Sequence, residues 1–318
     1  MADRPPLISI ALATYNGSRF LREQLDSIYA QTWPNIEVVA CDDCSSDDTE
    51  AILEEYRQRH GLRYEVNKRN LGFVRNFEKV MSLCRGEFIA LADQDDVWFP
   101  EKLERLMAGI GSASLVYSDA FLIDDEGREL PGSLIATSGV LPVTGTSFSY
   151  FVCNSCVTGC TALFRRDLLD TALPIPECET YHDWWLALVA SKRDGVCYLP
   201  ERLVRYRQHA ANQAGASRKS GLVSRLRAHL GRDTKRLKGE YYRLVRDRGA
   251  MLPAMRDRLA LTAAETAFLH DMERYGNGLL DPRPHLSSMA LAYRYREILF
   301  PAALPLERMV FIASSVIK

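Results

Sequence analysis

Along the first hundred residues one pattern recurs: a short apolar run, a polar cluster, then apolar positions three and four apart. Residues 7–13 form a run broken only by Ser9, which reads as a buried strand ending at Thr14-Tyr15-Asn16-Gly17. Phe20, Leu21, Leu25, Ile28 and Tyr29 then recur at helical spacing. Pro34 punctuates the chain before a second strand over residues 36–41. Asp47 or Asp48 is placed to cap a helix whose stripe is Ile52, Leu53 and Tyr56. Residues 64–66 read as a weak strand, 73–84 as a helix and 87–92 as a third strong strand. Later strands are expected at 115–117, 161–164 and 196–199, with a helix over 184–190. Strand–helix–strand repetition of this kind predicts an α/β fold, a mostly parallel sheet flanked by helices on both faces.

The polar clusters fall just after the strands. Residues 14–17 follow the first, 42–48 the second and 93–96 the third. In open α/β sheets ligands bind outside the carboxyl ends of strands, so the three clusters are expected to line one crevice.

Bulk composition narrows the class. The chain has 318 residues, 47% hydrophobic and 25% charged, with a net charge of −1. Those values suit a globular protein with a sizeable core and exclude a low-complexity chain. The opening residues show no apolar leader, and the most apolar late stretch, 298–317, is broken by Pro301, Pro305, Glu307 and Arg308. The expectation is a cytoplasmic chain without a membrane span. Its eight cysteines are then reduced, and Cys41/Cys44 and Cys153/Cys156/Cys160 read as buried thiols rather than zinc ligands.

Near residue 216 the character changes. Residues 217–250 carry eleven Lys or Arg against three acids, while Leu222, Leu226, Leu230, Leu237, Tyr241 and Leu244 keep a helical stripe. This divides the chain into 1–215 and a basic helical region, 216–318. The basic faces are either simply solvated or attach peripherally to an anionic inner leaflet. No aromatic interleaving accompanies the charge, so nucleic acid is not an expected partner. Thr262-Ala-Ala-Glu265 has the form of a capping box opening a further helix.

Asp93-Gln94-Asp95-Asp96 is the segment richest in chemistry. Three carboxylates within four residues repel one another, and a hard divalent cation, Mn²⁺ or Mg²⁺, would compensate them. His182-Asp183-Trp184-Trp185 sets an acid beside two indoles, which would either stack on sugar faces or pack a helix into the core. Asp183 would cap that helix, act on substrate, or both. Arg207 and His209 alternate along an extended stretch and so share a face.

The segments 13–17, 41–49 and 93–98, followed by Asn70-Leu71-Gly72-Phe73-Val74-Arg75-Asn76-Phe77, Thr158-Gly159-Cys160, His182-Asp183-Trp184-Trp185 and Tyr206-Arg207-Gln208-His209, resemble the ordered signatures of family 2 glycosyltransferases of the GT-A fold. The likeness runs over about residues 7–215 and is nearest to the rhamnosyltransferase-like branch of bacterial polysaccharide enzymes. It departs at Cys44, where the family commonly has glycine; Asp42 and Asp43 are kept.

The resemblance implies an inverting, metal-dependent transfer of a sugar, L-rhamnose from a dTDP donor in this branch, to a hydroxyl of a lipid-linked cell-surface glycan precursor. A UDP-hexose donor is the alternative. It further implies that Thr14, Tyr15, Asn16, Asp43, Asn76, Asp93, Gln94 and Arg207 bind the nucleotide sugar, with Asp43 on the pyrimidine. Asp95, Asp93 and His209 would hold the metal, Asp183 would be the general base, and Trp184 and His182 would meet the acceptor. Two other classes share the fold: sugar nucleotidyltransferases and non-catalytic nucleotide-sugar binders. The first needs a glycine-rich phosphate loop that residues 11–17 lack, and the second would not need the retained Asp93, Asp95, Asp183 and His209.

Overall fold

The computed structural model describes residues 4–138, 140–209, 247–280 and 286–299. Nine strands form one sheet in the order β3-β2-β1-β4-β8-β6-β9-β5, with β7 beside β6. They are β1 Ile8–Thr14, β2 Ile36–Asp42, β3 Arg63–Val66, β4 Phe88–Asp93, β5 Val97–Trp98, β6 Leu115–Ile123, β7 Glu129–Leu130, β8 Ala162–Arg165 and β9 Val196–Arg207. β1, β2, β3, β4, β6 and β9 run in one direction, and β5, β7 and β8 run against them. The expected α/β sheet is therefore present, with its parallel character held in six strands and antiparallel β8 wedged between β4 and β6.

Side chains alternate across β1, as the pleat requires. Ile8, Ile10 and Leu12 enter a core with Leu21, Leu25 and Ile28 of α1 (Leu21–Tyr29), Ile52 and Leu53 of α2 (Thr49–His60), and Leu103 and Leu106 of α4 (Lys102–Ile110). Ala11 enters the core on the other face, with Phe77 and Val80 of α3 (Phe73–Leu83), Phe151 of α6 (Phe148–Cys153) and Trp185 of α8 (His182–Ser191). Met251, Leu252, Met255, Phe268 and Leu269, from helical residues 247–258 and the helix Ala263–Leu280, join that second core.

The capping box forms as read: Glu265 accepts the Thr262 N–H at 2.7 Å, and Thr262 Oγ1 accepts the Glu265 N–H at 3.3 Å. Asp47 accepts the Thr49 N–H at the start of α2, at 3.1 Å. Most of the basic stretch, residues 217–246, lies outside the described residues. Among those described, no helix is long and apolar enough to cross a membrane.

Cys41, Cys84, Cys156 and Cys160 are buried thiols, Cys153 and Cys197 are partly covered, and Cys44 and Cys178 are exposed, which corrects the expectation of burial for Cys44. It lies in the segment past the carboxyl end of β2 rather than on the strand, because β2 ends at Asp42.

Candidate active site

Because β1, β2, β4, β6 and β9 share a direction, their carboxyl ends meet at one mouth. Thr14 pairs in register with Asp42, and Ala13 with Asp93. Antiparallel β8 brings its beginning, not its end, to the same place, so the short 3₁₀ turn Gly159–Thr161 arrives beside Asp93 and Asp96. Helix α8 starts at this mouth with His182 and Asp183, and His209 follows β9.

One side of the mouth is knitted by its own polar groups. Thr14 Oγ1 donates to Asp42 Oδ1 at 2.8 Å, and Asp42 Oδ2 accepts the Ser45 N–H at 2.8 Å. Asn16 joins the two turns, donating its N–H to Ser45 Oγ and accepting the Ser46 N–H at Oδ1, each at 2.8 Å. Asp43 Oδ1 accepts from Asn67 Nδ2 and the Leu71 N–H, at 2.8 and 2.7 Å, and Oδ2 from the Gly72 N–H at 2.9 Å. A carboxylate has about four acceptor positions, so Oδ2 retains one. Asn76 Nδ2 donates to Cys41 O at 2.8 Å. Gln94 clips Tyr15, accepting its N–H at 2.8 Å and donating to its carbonyl at 3.0 Å. A Cβ on Gly17 would collide with that Gln94 amide, so a larger residue there would displace the clip. The Tyr15 ring, 46% exposed, is the broad open surface on this side.

The acids occupy the centre. Asp95 Oδ2 lies 2.7 Å from His209 Nε2, and that imidazole stacks on Phe20 with ring centroids 5.3 Å apart. Burial, and then the neighbouring charges of Asp96, Asp95 and Asp183, push the Asp93 carboxyl well above the ordinary carboxylate range. Asp96 is pushed up to about 7 by burial and by Asp95, while its Oδ1 accepts the Arg207 N–H at 3.1 Å. Asp93, Asp96 and Cys160 offer ligand atoms within 4.8 Å of one another. Beneath them Lys102 is fully buried, donating to Cys160 O at 2.6 Å with its ammonium 3.1 Å from the Trp98 ring centroid. Burial pulls this lysine down to about 7.

Arg207 serves the acids through the backbone. Its Nε donates to Asp95 O at 2.8 Å, Nη1 to the carbonyls of Asp124 and Asp125 at 3.2 Å, and Nη2 pairs with Glu23 at 2.6 Å. Its guanidinium is committed to protein partners rather than displayed to a ligand, and it is 2% exposed.

Asp183 faces the same cluster from α8. Oδ2 accepts the Gly159 N–H and Oδ1 the Trp184 N–H, both at 2.8 Å, and burial raises the carboxyl to about 6. A Cβ on Gly159 would stand 3.0 Å from His182 Nε2 and 3.6 Å from Asp183 Cβ, so this close approach needs glycine. His182 and Trp184 turn inward. His182 stacks on Phe77 at 3.9 Å, and burial lowers its imidazole to about 3. Trp184 is 7% exposed and donates its indole N–H to Phe151 O at 2.6 Å. Of the two uses read for these indoles, core packing is the one the geometry displays.

Lys102, Glu23 and Cys160 were not among the expected site residues. Lys102 had a detectable signal: it occupies the apolar stripe of α4 together with Leu106 and Ile110, at four-residue spacing.

The family model of glycosyl transferase family 2 matches residues 9–173, just over half the chain. The chain belongs to that family. The matched span of this family 2 glycosyltransferase holds the acids of the 93–96 segment; Asp183, Arg207 and His209 lie beyond it. A dTDP-rhamnosyl transferase, RfbG, of Shigella flexneri is 28% identical over 227 residues, 65% of this chain and 74% of the relative. For three other curated relatives the match spans only 27%, 45% and 65% of their length. Among solved structures, residues 1–349 of S. aureus TarS in complex with UDP-GlcNAc align with a TM-score of 0.59 and 18% identity, covering 98% of this chain and 88% of that one. The Pyrobaculum calidifontis mannosyltransferase PcManGT, in complex with GDP-Man and Mn²⁺, aligns with a TM-score of 0.52 and 19% identity, covering 98% and 80%. These likenesses establish the GT-A fold.

Proposed function

We propose that the protein transfers a sugar from a nucleoside diphosphate to an acceptor hydroxyl with inversion. The observation that carries this reading is the convergence of Asp93, Asp95 and His209 with Asp183 at one mouth, close enough that the Asp183 charge acts on Asp93.

Asp95 Oδ2 and His209 Nε2, 2.7 Å apart, would offer a Mn²⁺ or Mg²⁺ ion a carboxylate oxygen and an imidazole nitrogen, a suitable donor set. Asp93, pushed well above the ordinary carboxylate range by burial and the neighbouring acids, adds a carboxyl to the same mouth. The grouping of Asp93, Asp96 and Cys160 fits less well, since burial pushes the Cys160 thiol well above its ordinary value and the Lys102 amino group already stands beside it. When bound, such an ion would supply Lewis-acid stabilisation of the negative charge that develops on the leaving diphosphate.

The chain's own residues supply the rest. Asp183, aimed by the Gly159 and Trp184 N–H groups, accepts the proton of the acceptor hydroxyl. The oxygen forms its bond to the anomeric carbon as the bond to the diphosphate oxygen breaks, the electron pair leaving with the diphosphate. Tyr15 offers a stacking face to the base, and the remaining acceptor position of Asp43 suits a pyrimidine N–H. Likeness to the Shigella dTDP-rhamnosyl transferase supports dTDP-rhamnose as donor, and the acceptor we propose is a lipid-linked glycan precursor.

A thermal-shift panel of dTDP-rhamnose, UDP-GlcNAc and GDP-mannose, with and without Mn²⁺, tests the reading. Binding raises stability by RT ln(1 + [L]/Kd), so the true donor separates from the others only with metal present. No shift with any nucleotide sugar would remove the proposal.

A further inference from the structure

Arg248 lies in helical residues 247–258, yet it is 7% exposed and reaches the segment that leads into α8 and Asp183. Its Nη1 pairs with Glu179 Oε2 at 2.8 Å, and its Nε donates to Val152 O at 3.2 Å. The guanidinium carbon also stands 4.2 Å from the centroid of the Trp184 ring. Glu179, equally buried, uses its other oxygen to accept the Thr180 and Tyr181 N–H groups, at 2.9 and 3.2 Å. One guanidinium therefore grips the chain on both sides of Asp183: through Glu179 before it and through the Trp184 indole after it.

A buried ion pair is weak evidence for stability, because desolvation offsets the attraction; its better attested use is to select one arrangement. Here the arrangement selected is the start of α8. The Thr180 and Tyr181 amides stay in place only while Glu179 stays in place, and Asp183 comes two residues later. Met251, Leu252 and Met255 hold the arginine's helix in the same core as Trp185, so the grip has a rigid anchor.

We propose that Arg248 is a positioning residue: through Glu179 and Trp184, the helical region after residue 246 sets the aim of the Asp183 carboxylate. This rests on the reading of Asp183 as the base, and the tests separate the two.

The first readout needs no ligand. In Arg248→Met, amide hydrogen exchange over residues 176–186 should accelerate by about tenfold or more, while the β1 and β2 amides stay unchanged. The second is turnover of dTDP-rhamnose, followed as released dTDP. Here kcat should fall by about tenfold, since small misplacement of a catalytic group is expensive in rate, with donor KM held within about twofold. Arg248→Lys keeps the charge and should recover most of both. Should Arg248→Met fail to fold, Glu179→Gln takes its place: an amide accepts at one end only, so it must release either Arg248 or the two N–H donors. Exchange at wild-type rate, unchanged kcat, or a loss of kcat matched by an equal rise in KM each overturns the proposal. Asp183→Asn, measured in parallel, judges the base reading alone: if it keeps wild-type turnover that reading fails, while the exchange data still decide whether Arg248 holds the loop.

Discussion

His209 sets Nε2 2.7 Å from Asp95 Oδ2, although 114 positions separate the two residues in the chain. The contact ties the segment after β9 to the acidic segment after β4. Removing either partner should therefore damage metal-assisted binding rather than folding. In Asp95→Asn and His209→Ala, the affinity for dTDP in the presence of Mn²⁺ should drop by about tenfold or more, while metal-free melting stays within a few degrees. Titration calorimetry with and without Mn²⁺ measures this directly. Unaltered Mn²⁺-dependent affinity in both variants would exclude the pair as ligands.

Asp183 is the second point of attack. Asp183→Asn should lower turnover by about 10²–10⁴-fold, with dTDP affinity near that of the wild type. A base works only when ionised, and burial raises this carboxyl to about 6. Turnover should thus climb as pH rises through about 6 and level above it. Stability should move the other way: a carboxyl raised in the folded state favours folding while protonated, and this advantage is lost between its unfolded value and about 6. The asparagine variant should lack that slope in urea unfolding curves.

The capping box gives a prediction independent of catalysis. Thr262→Ala should cost about 1 kcal/mol of stability, the usual loss for an N-cap hydroxyl. Burial alone would raise Glu265, but Lys192, at 2.7 Å, and the Thr262 donors hold it below its ordinary value. Its stabilisation is present at neutral pH and lost as pH falls through the lowered value. The gap in unfolding free energy between wild type and Glu265→Gln should accordingly shrink on acidification.

Cys44 adopts φ +65°, in the left-handed region. That costs a non-glycine residue roughly 1–2 kcal/mol, while glycine loosens the unfolded chain by about 0.4–1 kcal/mol. Cys44→Gly should melt no lower than the wild type, and β-branched Cys44→Val should melt lower. Calorimetric melting of the two variants decides it.

The parallel half of the sheet was legible because its strands are short apolar runs that stop at polar turns. The late strands were foreseen too short: β6 continues from Tyr117 to Ile123 and β9 from Leu199 to Arg207. The polar residues that seemed to end β6 are satisfied inside the fold. Ser118 Oγ donates to Asp119 O, and Asp119 Oδ1 accepts the Ala120 and Ile135 N–H groups beside a shift in register. Local pattern does not reveal such partners. Nor does it reveal pairs such as Glu23 with Arg207 or Glu179 with Arg248, whose residues are 184 and 69 positions apart. The acids at 93–96 and Asp183 were visible as candidates, since charge next to a buried strand is conspicuous. That Trp184 turns inward became visible only with Phe151 and Arg248 around it.

The reversal of β8 has an architectural consequence. Loops that leave β1, β2 and β4 form one rim of the mouth, whereas the turn leading into β8 forms the facing rim. The two rims are therefore built from opposite ends of their strands. Insertions ahead of residue 159 can reshape the second rim while the hydrogen-bonded register of the first stays fixed, so one half of the cleft can diversify as the other is preserved.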